Sequence, residues 1–398
     1  MPGFELFGDL ERASVNEVLD TGVLMRYGFD GMRKDRWKAL ELEQKLATRM
    51  QTQYAHLTSS GTSALTVALA CMGIGAGDEV IMPTFTFVAS FESILAVGAV
   101  PILVDIDETL TLNPQAVRNA VTNKTKAIMP VHMCGSMADL DALKAICEEN
   151  NLLLLEDACQ AIGGTYKGQP LGSIGDAGCF SFDYVKTITC GEGGGLITNS
   201  KDIYERAHMY SDHGHDHMGK DRGAEAHPFL GYNFRISELN AAVGLAQLAR
   251  LDDFLAIQEM HYGILRSALE GIEGLSFRKV PDGGVENYSF LNFFMASETQ
   301  AKKVHAALSA AGIDACFYWY DNNWHYYRKW QHLLQEQSLF KLPEEVRLRM
   351  KDNSENDFSL SDQWIGRNIS CLVKIGWEAE AVHQRAKLIR STIQAAIQ

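Results

Sequence analysis

Between about residues 50 and 200, short apolar runs alternate with segments of helical spacing. Stretches 79–82, 101–105, 127–131, 152–156, 178–182 and 195–198 read as strands. Their apolar character is continuous rather than alternating, which marks strands covered on both faces. The segments between them place apolar residues on one helical face, as Leu140, Leu143, Ile146 and Cys147 do. Strands of this kind separated by helices predict an α/β fold with a mostly parallel central sheet flanked by helices. Ligands of such sheets sit at the carboxyl ends of the strands.

Past residue 200 the pattern changes. Residues 208–227 are polar and His-rich and read as an exposed loop. Ser237 has the position of an N-cap for a helix carrying Leu239, Ala242, Val243, Ala246 and Ala249 on one face. From about residue 250 onward, helices and short strands predict a smaller C-terminal α+β domain, which divides the chain into 1–250 and 251–398. No repeat of about 20–50 residues is present, so solenoids and propellers are excluded.

Apolar and aromatic residues make up 46% of the 398 positions and charged residues 22%. That balance argues for a large packed core rather than disorder. The 50 acidic residues outnumber the 36 basic ones, for a net charge of −14. A broad electrostatic grip on nucleic acid is thereby disfavoured, and any anionic ligand needs a local positive site. The longest apolar stretch, 94–104, is interrupted by Gly98 and Pro101 and is too short to span a bilayer. The N-terminus lacks the basic start and apolar core of a signal peptide. The eight cysteines are scattered, none in a Cys-x-x-Cys, and read as buried thiols of a reducing compartment. The expectation is a cytoplasmic protein with neither a nucleic-acid nor a membrane partner.

Four segments could carry chemistry. Ser59-Ser60-Gly61-Thr62-Ser63 opens an apolar helix. A Gly/Ser/Thr turn there presents N–H groups and hydroxyls to an anion, though an ordinary helix cap looks the same. Asp157 follows a buried strand, where a carboxylate needs a cationic partner or several donors. A protonated pyridine nitrogen would serve, and so would a capping role. Lys186 lies between a strand and Gly191-Glu192-Gly193-Gly194-Gly195. In a confined site such a lysine forms Schiff bases, whereas an exposed lysine beside a Gly-rich turn reads alike. That turn is not a Walker loop, and no Gly-x-Gly-x-x-Gly follows the first strand, which weakens a dinucleotide reading. Gly231-Tyr232-Asn233 leads into the helix capped by Ser237.

Together and in this order, the four segments resemble the DegT/DnrJ/StrS-type family of sugar aminotransferases. That family has the aspartate-aminotransferase fold (fold type I) of pyridoxal-phosphate enzymes. The resemblance covers at least residues 40–250. It implies pyridoxal 5'-phosphate as cofactor. By the family pattern Lys186 is the Schiff-base lysine and later the base that moves a proton between carbon atoms. Asp157 keeps the ring nitrogen protonated, Gln160 binds the ring hydroxyl, and Phe87 lies on one ring face. Thr62, Ser63, Ser181 and Asn233 hold the phosphate. The Gly-Tyr-Asn motif serves a neighbouring subunit's cofactor in the family, so a homodimer is implied. The implied substrates are a keto sugar or sugar acid and an amino donor, L-glutamate.

Two stretches depart from the family pattern. Residues 25–37 are longer and more basic, with Arg26, Arg33, Lys34 and Arg36. Residues 317–327 are aromatic, include His325 and lack the family's Pro-rich run. These stretches shape the sugar pocket in the family, so Arg26, Arg33, Arg36 and His325 are candidate substrate residues. Both stretches resemble the branch that forms 8-amino-3,8-dideoxy-manno-octulosonate for lipopolysaccharide. A nucleotide-linked 4-keto-6-deoxy sugar is the alternative acceptor. The family's deoxygenating dehydratases replace the lysine, typically by His, so Lys186 argues against that chemistry. The intact Lys186, Asp157 and Gln160 set argues against a non-catalytic regulator and against a metal protein built on His213, His215 and His217. The spacing of those histidines matches no defined zinc motif, and no metal site is expected.

Overall fold

The computed structural model describes residues 3–219, 223–339, 341–355 and 357–398. A seven-stranded sheet lies at its centre. The strand order is Tyr54–Thr58, Gly194–Thr198, Ala177–Ser181, Leu153–Asp157, Thr125–Ile128, Glu79–Pro83, Val100–Val104. Neighbours pair in parallel except at Gly194–Thr198, which is antiparallel to both strands beside it. The six apolar runs are all strands, with ends displaced by a few residues at most. Tyr54–Thr58 is the strand that hydrophobic patterning does not reveal. It carries His56 and Thr58, both fully buried, so its polar residues conceal its position.

Helices cover both faces of this sheet. Leu140–Asn150 and Glu238–Ala249 form as their apolar spacing predicts. The Ser237 side chain caps the second by accepting the Asn240 N–H at 3.1 Å. Among the described residues, no helix is long and apolar enough to cross a membrane.

A second sheet is four-stranded and antiparallel, in the order Ser276–Phe277, Phe290–Phe294, Asn368–Leu372, Cys316–Phe317. Leu265, Val304 and Ile389, from three helices, pack on it with Phe293 and Ile369 in a core of their own. The strands and helices of this α+β unit all come from residues after 250. Packing does not follow chain order throughout, however. Trp319, Tyr326, Tyr327, Trp330, Met350 and Phe358 join the core of the central sheet instead. The aromatic stretch therefore crosses back to the large sheet, where the strand ends lie.

The 208–227 stretch differs from the exposed loop that its polarity predicts. His208 belongs to the helix Lys201–Tyr210, and Ser211 and Asp212 are fully buried. Residues 220–222 lie outside the described residues. The buried part packs on a polar cluster that also holds Arg26, Glu43 and His56. The His56 Nε2 lies 2.6 Å from Ser211 Oγ, and the His208 and His217 rings meet at 4.3 Å.

Burial, and then the nearby Arg26 charge, hold His56 well below the ordinary imidazole value of 6.5. Burial, followed by His217 and Arg26, pushes His208 down to about 3. Both stay neutral in the folded chain over a range where the unfolded chain binds protons. Their contribution to stability is thus full above about pH 6.5 and is lost as pH falls below it. The expected outcome is that the free energy of urea unfolding drops between pH 7 and pH 5. His208→Asn should flatten that drop by roughly 1–2 kcal/mol. A variant profile as steep as that of the natural chain would contradict this account.

Candidate active site

A cavity of about 250 Å³ opens where the central strands end. Of the residues singled out from the sequence, Thr62, Phe87, Asp157, Gln160, Ser181, Lys186 and His325 line it. Asp157 and Ser181 are the last residues of adjacent parallel strands. Lys186 follows in an excursion closed at its base, where Phe182 N–H donates to Gly193 O at 2.8 Å and Cys190 N–H to Phe182 O at 2.9 Å.

The helix Gly61–Cys71 begins at the cavity. Its cap is reciprocal: Ser60 Oγ accepts the Ser63 N–H at 3.0 Å, and Ser63 Oγ accepts the Ser60 N–H at 2.8 Å. The remaining N–H groups of the first turn and the Thr62 side chain are left for an anion. Gly61 is required by close approach. A Cβ there would lie 2.8 Å from Ser181 Cβ and 3.1 Å from Cys159 Sγ.

Asp157 is buried and takes two donors. Its Oδ2 accepts from Ser90 Oγ at 2.7 Å and its Oδ1 from the Cys159 N–H at 3.1 Å. Gln160 Oε1 accepts the Cys134 N–H at 2.9 Å. That contact fixes the amide orientation and leaves the Gln160 NH₂ as the donor available at the cavity. Phe87, at the start of the helix Val88–Ala96, is 37% exposed and keeps open ring surface for a planar group. Its ring stacks on Trp324 at 5.6 Å with 4° between the planes.

His325 reaches the cavity because residues 324–327 pair with residues 84–88. Thr86 N–H donates to His325 O at 3.0 Å and Val88 N–H to Trp324 O at 2.9 Å. The His325 Nδ1 lies 2.8 Å from Asn322 Oδ1, so the proton sits on Nδ1 and Nε2 is an acceptor. Burial, then Lys186, lowers the His325 pKa to about 3. The imidazole is therefore neutral at any physiological pH.

Other candidates lie elsewhere. Ser63 does not line the cavity, because its hydroxyl is engaged in the helix cap. Arg26 is buried and ion-paired with Glu43 at 2.5 Å. Arg33 is fully buried. It donates to the carbonyls of Gly28 and Met25, lies 3.6 Å from Glu238, and covers Trp37. Arg36 pairs with Glu17 at 2.6 Å, and Lys34 donates to Asp20 O. None of Arg26, Arg33 and Arg36 lines the cavity of its own chain: Arg26 and Arg33 are buried cations held by internal partners, and Arg36 lies half-exposed in its pair with Glu17. Asn233 is exposed, outside the cavity, and bridges Asp212. His215 lies 3.1 Å from Glu225, and His227 Nδ1 lies 2.9 Å from His213 O. Among the described residues, no three His, Cys, Asp or Glu side chains gather in a metal-holding group.

The cavity residues fit pyridoxal phosphate. They provide a helix start for a phosphate, a restrained carboxylate for a ring nitrogen, an amide donor for a ring hydroxyl, an aromatic face and a lysine. Thr86, Ser90, Asp183 and Glu192 also line the cavity and were not singled out from the sequence. Thr86 and Ser90 flank Phe87, one helical turn apart, which is the signal that could have found them. Gly61→Ala should displace Ser181 from the helix start and weaken pyridoxal-phosphate binding to the apoprotein by at least about tenfold. A dissociation constant equal to that of the natural chain, measured by fluorescence quenching, would refute the close-approach argument.

A profile of the DegT/DnrJ/EryC1/StrS aminotransferase family matches residues 8–349. The chain is 41% identical over 225 residues to the GDP-perosamine synthase of Caulobacter vibrioides, covering 56% of this chain and 60% of that protein. It is 37% identical over 286 residues to the 3-amino-5-hydroxybenzoate synthase of Amycolatopsis mediterranei, covering 71% of this chain and 70% of that protein. The matches to the GDP-perosamine synthases of C. vibrioides and Escherichia coli O157:H7 span 60% and 65% of those proteins, under two thirds. Among solved structures, an aminotransferase from Psychrobacter cryohalolentis superposes with a TM-score of 0.85 at 26% identity over 98% of both chains. A 3-amino-5-hydroxybenzoic acid synthase superposes with a TM-score of 0.80 at 29% identity, over 98% of this chain and 97% of that one. With the profile matching nearly the whole chain, the protein belongs to the DegT/DnrJ/EryC1/StrS aminotransferase family.

Proposed function

We propose that the protein is a pyridoxal-phosphate-dependent aminotransferase that moves an amino group from an amino acid, L-glutamate in this reading, to a keto sugar. The observation that carries this reading is the convergence of Lys186, Asp157 and Gln160 on one cavity at the start of the helix Gly61–Cys71. When bound, pyridoxal phosphate supplies a conjugated ring that accepts electrons from a carbon losing its proton. Lys186 Nζ takes that proton and returns it to a neighbouring carbon, a transfer worth about 10²–10⁴-fold when the base is positioned. Asp157 would keep a proton on the ring nitrogen, and the Gln160 NH₂ would donate to the ring oxygen. Phe87 would cover one ring face, and Thr62 and Ser181 would hold the phosphate. The neutral His325 offers Nε2 to a sugar hydroxyl.

The acceptor in this proposal is an eight-carbon keto sugar acid, giving 8-amino-3,8-dideoxy-manno-octulosonate for lipopolysaccharide. The aromatic stretch that brings Trp324 and His325 to the cavity supports it. A nucleotide-linked 4-keto-6-deoxy sugar is the second reading, favoured by the 40–41% identity to GDP-perosamine synthases. We place the protein in the cytoplasm as a homodimer. The exposure of Asn233 outside its own chain's cavity supports the dimer reading.

Lys186→Ala should keep the fold and lose both turnover and the visible absorbance of lysine-bound cofactor. Turnover at the natural rate would sink the assignment. Of free and nucleotide-linked keto sugars, the eight-carbon acid should consume the cofactor's amino form fastest in stopped flow. If a nucleotide-linked sugar reacts faster, the second reading replaces the first. Mixing Lys186→Ala with Asn233→Ala subunits should restore part of the activity, since one of the two sites in a mixed dimer is intact. Full activity in a monomer, shown by sedimentation, would remove the shared-site reading.

A further inference from the structure

We propose that Ser90 and Thr86 are positioning residues that hold Asp157 as an oriented anion through a two-hydroxyl relay. The proposal rests on the reading of Asp157 as the partner of the cofactor's ring nitrogen.

Three buried side chains form the relay. Asp157 is 4% exposed, Ser90 1% and Thr86 0%. Ser90 Oγ lies 2.7 Å from Asp157 Oδ2 and 2.6 Å from Thr86 Oγ1. Counting hydrogens sets the direction of each bond. Ionised Asp157 only accepts, so the single Ser90 hydroxyl hydrogen goes to Oδ2. Ser90 Oγ must then accept from Thr86, whose other contact, to Phe87 O, is longer at 3.2 Å. Hydroxyls donating in series polarise one another, and the effect is strongest where water is excluded.

The consequence for Asp157 is twofold. Each donor turns a partial positive charge toward the carboxylate. Oδ2 receives the Ser90 hydroxyl and Oδ1 the Cys159 N–H, so the carboxylate plane is pinned from both ends. The remaining lone pairs face the cavity in a set direction. Thr86, Phe87 and Ser90 also occupy one short segment at the start of the helix Val88–Ala96. The group that covers the ring face and the groups that hold the ring-nitrogen partner are thus placed by the same turn of chain.

The test uses the purified protein, the apoprotein prepared from it, and pyridoxal phosphate. The readouts are the cofactor dissociation constant and the pH midpoint of the visible absorbance of lysine-bound cofactor. Ser90→Ala should weaken cofactor binding by about tenfold, the value of one hydrogen bond to a charged group. It should also move the absorbance midpoint to higher pH. Asp157 then competes for the ring proton, and less positive charge lies near the lysine linkage. Thr86→Val, which keeps the volume, should act in the same direction to a smaller extent. Ser90→Thr, which keeps the hydroxyl, should restore both readouts. Asp157→Asn should change both more than Ser90→Ala does.

If Ser90→Ala and Thr86→Val keep the natural dissociation constant and midpoint while Asp157→Asn shifts both, the relay is overturned and the Asp157 assignment stands. A lowered melting temperature with an unmoved midpoint makes Ser90 merely structural and also overturns the relay. If Asp157→Asn itself changes neither readout, the underlying assignment fails as well.

Discussion

Two consecutive carboxylates, Glu156 and Asp157, end a strand at the middle of the central sheet, and both are buried. A buried charge without partners costs several kcal/mol, so the chain around them must supply donors. Successive strand residues point to opposite faces, and each carboxylate organises its own side. Glu156 accepts the N–H groups of Gly172, Ile174 and Gly175 at 2.8, 2.6 and 2.7 Å and faces His132 Nε2 at 2.9 Å. These bonds draw the 172–175 turn onto the sheet. The turn comes so close that a Cβ at Gly178 would lie 2.0 Å from Gly172 O. Asp157 faces the cavity, where the Ser90 hydroxyl and the Cys159 N–H donate to it. One carboxylate is saturated for structure, and its neighbour keeps lone pairs for a ligand.

The same rule disposes of the basic stretch near the N-terminus. Arg26 enters the protein beside Glu43, which also accepts the Leu57 N–H at 2.8 Å. Arg33 lies against Glu238, whose carboxylate accepts the Lys38 N–H at 2.7 Å. Each glutamate thereby joins the N-terminal segment to the sheet or to a helix start. Removing either arginine would leave an unpaired buried carboxylate, which typically costs about 3–5 kcal/mol. A cluster of basic residues in an acidic chain suggested a ligand for an anion. Its two most buried members instead neutralise the protein's own glutamates.

Short-range patterns were legible where a residue's role depends on its near neighbours. The six apolar strands, the Ser237 cap and the cavity-facing positions of Asp157 and Lys186 all belong to that class. Tyr54–Thr58 was hidden because His56 and Thr58 make a fully buried strand look polar. The antiparallel course of Gly194–Thr198 was hidden because an apolar run covered on both faces carries no direction. Ser63 reads as a ligand in the Ser-Gly-Thr-Ser motif, but a helix cap uses the same hydroxyl, and the cap took it.

Chain order and residue type alone therefore determined the α/β architecture and the family. They also determined which strand ends carry a lysine, a carboxylate and an amide. Local periodicity and strand-end chemistry are written within about ten residues of each position. Only the tertiary structure decided which charges are internal, as with Arg26 and Arg33, and which polar groups meet across the chain. Ser90 and Asp157 are 67 residues apart in sequence and 2.7 Å apart in space. His325 reaches the cavity through backbone pairing with Thr86 from the other end of the chain. Such contacts depend on how sheet and helices pack in three dimensions, and a buried ion pair or hydroxyl relay leaves no periodic mark along the sequence.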